Sequence, residues 1–80
     1  MNVPQKAHGG IKVNIRLKGK LTEKGVTGKQ LAELWDININ SVYAKLNGNT
    51  IITCEELKKA ALAFKLSEAE VLYILFGPNN

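Results

Sequence analysis

Residues 26–48 read VTGKQLAELWDININSVYAKLNG, and they contain the clearest helix signals in the chain. Thr27 and Gln30 have the spacing of a capping box, in which a hydroxyl and a side-chain amide three residues later satisfy the free N–H groups at a helix start. The turn-forming residues 36–38 end this helix, and Asn38 is placed to cap the next one. Asn47 and Gly48 end that second helix. The stretch therefore predicts two short helices joined by a turn of three or four residues.

The apolar residues of this stretch predict which side of each helix faces the core. Val42 and Leu46 lie four residues apart and fasten the second helix, while Ile37 fills the turn. Ala32 is small enough to let two steeply crossing helices touch. The other side of residues 39–47 is left for solvent or a ligand, and it carries Ile39, Asn40, Tyr43, Ala44 and Asn47. Such a helix pair is the unit that sets its second helix in the major groove of DNA.

The rest of the chain adds three more predicted helices. Leu17 and Leu21 lie four apart on a first helix, for which Asn14 is a candidate cap. Further capping boxes stand at residues 53–56 and 67–70. We therefore predict an all-α fold, a compact bundle of five helices. Residues 14–77 form the helix-turn-helix domain, between a flexible N-terminal tail at 1–13 and a C-terminal tail at 78–80.

Two segments resemble one family of DNA-binding domains. Residues 26–38, VTGKQLAELWDIN, resemble the "lTqkeLAeklgvs" stretch of lambda-repressor/Cro-type (XRE-like) helix-turn-helix domains. Residues 41–48, SVYAKLNG, are similar to the recognition helix and the Asn-Gly ending of the same family, and residues 17–21 resemble the first helix of small phage-encoded members. The resemblance covers about residues 14–77. It implies a lambda-repressor-like fold and a phage repressor or Cro-like regulator of transcription.

The resemblance also implies roles for individual residues toward duplex DNA. Asn40 and Tyr43 would face base edges, and Ile39 would meet a thymine methyl group. An asparagine amide can pair with adenine through two hydrogen bonds. Phosphate contacts, which fix register without reading sequence, are expected from Lys18, Lys20, Lys29, Asn38, Lys45 and Asn47.

Charge is distributed unevenly along the chain. Residues 1–50 contain eight Lys and Arg against three acids, whereas residues 51–80 contain three Lys against four Glu. The first half is therefore the candidate surface for a polyanion. An ordinary solvated basic face would have the same composition, so charge alone does not decide the matter.

Composition argues against several other classes of protein. The single cysteine, Cys54, and the single histidine, His8, provide neither a disulfide nor a metal site, and we expect no cofactor. Residues for a nucleophile and base pair are lacking, so we expect neither an enzyme nor a small-molecule substrate. No apolar run approaches the length of a membrane span, and residues 1–10 do not have the pattern of a secretory signal. We expect a protein of the bacterial or phage-host cytoplasm.

The last predicted helix contains six consecutive apolar or aromatic residues, 71–76. A surface helix buries only one face. This helix is therefore either central to the core or the seam of a homodimer through Leu72, Leu75 and Phe76. A dimer would bind palindromic half-sites one helical turn apart.

A second function is open on the same fold. The family often has Gln where this chain has Gly28 and Gly where it has Asp36, and residues 39–47 contain no Arg. These differences, with the apolar last helix, favour a protein-interaction module such as an antirepressor or adaptor that does not bind DNA directly.

Overall fold

The computed structural model describes the backbone of residues 3–78 and the side chains of residues 12–78. Within that range it contains only helices: α1 (Val3–Glu23), α2 (Gly28–Trp35), α3 (Ile39–Leu46), α4 (Cys54–Ala63) and α5 (Glu68–Phe76). The prediction of an all-α fold with five helices is confirmed for this part of the chain. Among the described residues, no helix is long and apolar enough to cross a membrane.

The helix starts follow from local side-chain hydrogen bonds. At each capping box the hydroxyl of the first residue accepts a hydrogen bond from the backbone N–H of the residue three positions later. The side chain of that later residue accepts a hydrogen bond from the backbone N–H of the first residue. A cap of this kind stabilises a helix by about 1 kcal/mol. The pairs, all three predicted from the sequence, are Thr27 with Gln30, Thr53 with Glu56, and Ser67 with Glu70.

A single core joins the five helices. α1 packs on α3 and α5, and α2 packs on α3 and α4. The indole Nε1 of Trp35 donates to the backbone oxygen of Glu56 over 3.0 Å, which adds a polar tie between α2 and α4. Because α1 and α2 both contact α3, they hold it from two directions. The buried apolar residues are Leu17, Leu21, Leu31, Trp35, Val42, Leu46, Leu57, Ala60 and Ile74.

The prediction that the first helix starts at Asn14 was wrong. α1 begins at Val3, and Asn14 is a buried residue in its interior, 2% exposed. Its amide Nδ2 donates to the backbone oxygens of Lys45 and Thr50, the latter over 2.8 Å. A side chain that suits a cap is thus used for a tertiary contact with the end of α3. The division into a domain at 14–77 and tails at 1–13 and 78–80 stays a prediction, and residues 1, 2, 79 and 80 lie outside the described part.

Candidate nucleic-acid interface

Residues 36–38 connect α2 to α3 through specific backbone and side-chain contacts. Asp36 adopts a left-handed conformation, with φ 58° and ψ 47°, which ends α2. The N–H of Ile37 donates to the backbone oxygen of Ala32 over 3.1 Å, and the Ile37 side chain packs against the core. Asn38 then caps α3, because its Oδ1 accepts a hydrogen bond from the Ser41 N–H over 2.9 Å. The connection therefore leaves α3 in a defined place beside α2.

α3 has one buried side and one open side. Val42 and Leu46 are buried, as their spacing predicts. Ile39, Asn40 and Tyr43 are exposed on the open side. α3 contains no acidic residue, and Lys45 is its only charged one. The open side thus carries polar and apolar residues of α3 and no carboxylate from that helix. Two exposed acidic residues precede α3 in the sequence, Glu33 on α2 and Asp36 in the connection.

Tyr43 contacts the first turn of α2, which the sequence did not predict. A Cβ placed on Gly28 would lie 2.8 Å from the Tyr43 hydroxyl and 3.0 Å from its Cζ, so the ring occupies the space that any side chain at position 28 would need. Tyr43 nevertheless remains 48% exposed. The signal in the sequence was the glycine itself, at the first position of a well-capped helix.

The cations predicted to meet phosphates fall into two groups. Lys18 lies beside the end of α3, where its Nζ donates to Oδ1 of Asn47 over 3.2 Å, and Lys29 is exposed on α2. The ammonium of Lys45, in contrast, lies 3.2 Å from the Glu56 carboxylate and donates to the Ile51 backbone oxygen over 3.0 Å. Lys45 is therefore already engaged within the molecule.

Lys20 belongs to another side of α1. Two residues further along a helix correspond to a rotation of about 200°, so Lys20 and Lys18 point in nearly opposite directions. The Lys20 ammonium lies 5.1 Å from the ring centroid of Tyr73 on α5 and 3.6 Å from the Glu23 carboxylate. The structure therefore does not bring Lys20 to the surface formed by α2 and α3.

Asn38 and Asn47 lie at the two ends of α3. Both are exposed, and both have a side-chain oxygen already accepting a hydrogen bond, from the Ser41 N–H and the Lys18 ammonium respectively. Their amide NH₂ groups are the donors that a phosphate would need. Asn38 and Asn47 thus mark the ends of α3, with Lys18 bound to Asn47, and Lys29 follows Gly28 at the start of α2. Lys20 and Lys45 are held by other partners.

The exposed side of α5 is the second notable surface. Ile74 is its one fully buried residue, while Leu72 and Phe76 are 55% and 77% exposed and Leu75 is exposed as well. The guanidinium Nε of Arg16 donates to the Ile74 backbone oxygen over 3.0 Å, which fixes the end of the helix on α1. Of the two alternatives that the sequence left, a helix central to the core is wrong for this chain. The dimer seam stays a prediction.

The described residues also bear on metal binding. Among those residues, no three His, Cys, Asp or Glu side chains lie close enough together to hold a metal ion, and Cys54 is exposed at the start of α4. The side chains of His8 and Lys6 lie outside the described residues.

Comparison with protein-family models, with curated proteins and with solved structures finds no significant match to this chain. A functional interpretation therefore depends on the chain's own residues, above all on the surface around α3.

Proposed function

We propose that this chain is a sequence-specific duplex-DNA-binding regulator of transcription, of the helix-turn-helix type and similar to phage repressors and Cro proteins. Residues 39–47 would lie in the major groove. The observation that carries the proposal is the open side of α3, where Ile39, Asn40 and Tyr43 are exposed on a helix fastened by Val42 and Leu46. Action on DNA would place the protein in the cytoplasm of a bacterial or phage-host cell.

The dimensions of α3 and the chemistry of its first turn suit a base-reading role. An α-helix with its side chains is about 10–12 Å in diameter, which fits the width of the major groove, about 12 Å, and the eight residues of α3 give two turns that can lie in it. In helix-turn-helix proteins the first residues of the recognition helix contact base edges. Asn40 would pair with adenine N6 and N7 there, and Ile39 would pack against a thymine methyl group.

Groups around α3 would fix the register of the protein on the duplex. Lys29 is on α2, the helix that crosses the DNA backbone in this mode of docking. Lys18 and Asn47 form a hydrogen-bonded pair at the C-terminal end of α3. These donors would bind phosphates, together with Asn38. Lys20 and Lys45, which have partners within the molecule, would add only to the general positive potential.

The α5 surface would join two copies of the chain. Leu72, Leu75 and Phe76 present apolar area that a monomer leaves in water. A two-fold dimer through this helix would present two copies of α3, and these would bind half-sites about 34–36 Å apart, one turn of the duplex.

The same α5 surface favours a second candidate function, a protein-interaction module. Exposed leucines and phenylalanine suit an apolar partner as well as a second copy. In that case binding of the partner would be insensitive to Asn40→Ala, whereas Leu72→Glu would abolish it. An antirepressor or adaptor on this fold would behave in that way.

Selection of bound sequences from a random duplex library tests the leading proposal. The wild-type protein is expected to enrich one motif that contains an adenine, and Asn40→Ala is expected to lose the preference at that position, which is worth about 1–3 kcal/mol. Asn49→Ala is the matched control, because Asn49 is exposed in the loop beyond α3. A wild-type protein that enriches nothing, or an Asn40→Ala variant with an unchanged motif, would contradict the proposal.

A further inference from the structure

Gly28 is constrained by its neighbour and not by its backbone. Its φ lies outside the positive region, where Gly25, Gly48 and Gly77 are found, so an L-residue fits the backbone of α2 at this position. What a side chain would meet is Tyr43: the hydroxyl, Cζ and Cε1 would lie 2.8, 3.0 and 3.1 Å from a Cβ. At Gly19 of α1 a Cβ would meet nothing within 4 Å. Gly28 therefore leaves room for one specific ring.

The position of that ring determines what its hydroxyl can reach. Tyr43 lies one turn beyond Asn40 on α3, and its hydroxyl end lies over the first residue of α2. In helix-turn-helix docking, α2 is the helix that crosses the sugar–phosphate backbone, and base edges are contacted by the first residues of α3. A hydroxyl held against the first turn of α2 is therefore on the backbone side of the interface.

We propose that Tyr43 binds a DNA phosphate through its hydroxyl and that Gly28 is the positioning residue that holds it there. This inference rests on the proposed function. It replaces the base contact that the sequence predicted for Tyr43, and it leaves base reading to Asn40 and Ile39. Tyrosine hydroxyls are among the groups that donate to phosphate oxygens, and such contacts carry no sequence information.

Two residues of α3 would then have different roles, since Tyr43 would contribute to affinity alone and Asn40 to sequence specificity. Tyr43→Phe keeps the ring and removes only the hydroxyl, so it should weaken binding to every duplex by a similar factor. A hydrogen bond to a charged acceptor corresponds to about tenfold or more in affinity. Because tyrosine carries no charge, the dependence of affinity on salt should not change, whereas Lys29→Ala should lower the log–log slope by about one.

Gly28→Ala tests the positioning role. Its methyl group would displace the exposed Tyr43 ring, since the ring end moves more easily than the helix backbone. In the wild type we expect a nuclear Overhauser contact between the Tyr43 ring and the Gly28 α-protons, and we expect the variant to lack any such contact at position 28. We also expect affinity to fall by about the same factor as in Tyr43→Phe. Gly19→Ala is the matched control, and neither measurement should change in it.

A double-mutant cycle decides whether Gly28 acts through Tyr43. If it does, adding Gly28→Ala to Tyr43→Phe should cause little further loss of affinity, because both changes remove the same contact. Independent roles would give losses that multiply. Denaturant unfolding of each variant separates a lost contact from a lost fold, since affinity is then compared only at conditions where every variant is folded.

The experiment is a selection from random duplexes for the wild type, Tyr43→Phe and Asn40→Ala, with affinities measured on the enriched duplex. The expected result is an unchanged motif and uniformly weaker binding for Tyr43→Phe, against a changed motif for Asn40→Ala. A motif that changes in Tyr43→Phe overturns the phosphate assignment and leaves the proposed function standing. A wild-type protein that enriches nothing overturns both.

Discussion

Replacing Asn14 by alanine tests how α3 is held in place. Asn14 is buried in α1, and its amide donates to the backbone oxygens of Lys45 and Thr50, at the end of α3 and in the loop that follows. Alanine removes both donors, so the Thr50 carbonyl loses its side-chain partner and the Lys45 carbonyl keeps only backbone donors such as the Gly48 N–H. Each lost bond of this kind costs about 1–2 kcal/mol, so we expect the free energy of unfolding to fall by about 2–4 kcal/mol.

That loss is large for a chain of this size. A domain of 80 residues has a total stability of about 4–12 kcal/mol. A change of 1 kcal/mol moves the Tm of such a domain by about 4–8 °C, so Asn14→Ala should lower the Tm by about 8–32 °C. Urea and thermal unfolding followed by far-ultraviolet circular dichroism measure both quantities.

The control is Asn49→Ala, which makes the same chemical change at an exposed position. It should stay within about 0.5 kcal/mol of the wild type. If Asn14→Ala were equally harmless, then contacts other than these two hydrogen bonds would fix α1 on the end of α3.

Two further predictions concern α5. The Ser67 N–H, with nearby Lys24 and Lys20, holds the pKa of Glu70 below its usual 4.5. The ionised carboxylate therefore stabilises the fold above pH 4.5, and this contribution is lost as the pH falls through the lowered pKa. When the free energy of unfolding is measured against pH, Glu70→Gln should lose less stability in acid than the wild type does. Sedimentation of the wild type should give a dimer, and Leu72→Glu combined with Phe76→Glu should give a folded monomer, because both side chains are exposed within one copy. A Glu70→Gln variant that loses as much stability in acid as the wild type would contradict the first prediction. A wild-type protein that is monomeric at high concentration would contradict the second.

The parts of the fold that the sequence predicted are those governed by local chemistry. The three capping boxes involve residues three apart, so their hydrogen bonds can be read from the chain alone. The core side of α3 followed from the spacing of Val42 and Leu46.

The start of α1 could not be predicted in this way. Pro4, Gly9 and Gly10 are typical of a tail, yet α1 begins at Val3 and continues through them. Proline is tolerated in the first turn of a helix, and each glycine costs only about 1 kcal/mol. Asn14 has the chemistry of a cap, but its partners are 31 and 36 residues away, so only the tertiary structure reveals its role.

The site was predictable in outline and not in its contacts. The exposure of Ile39, Asn40 and Tyr43 followed from helical periodicity. The contact of Tyr43 with Gly28 and the ion pair of Lys45 with Glu56 depend on how two helices pack together. For that reason Lys45 and Lys20 were expected at phosphates although the fold gives them other partners.

Amide chemical-shift mapping shows whether the open side of α3 binds duplex DNA. Isotope-labelled protein is titrated at low salt with a duplex of about 20 base pairs, two helical turns. We expect the largest shifts in residues 28–30 and 39–47, with small changes in α5. Shifts confined to α5, or no shifts at a duplex concentration that saturates weak non-specific binding, would contradict the claim.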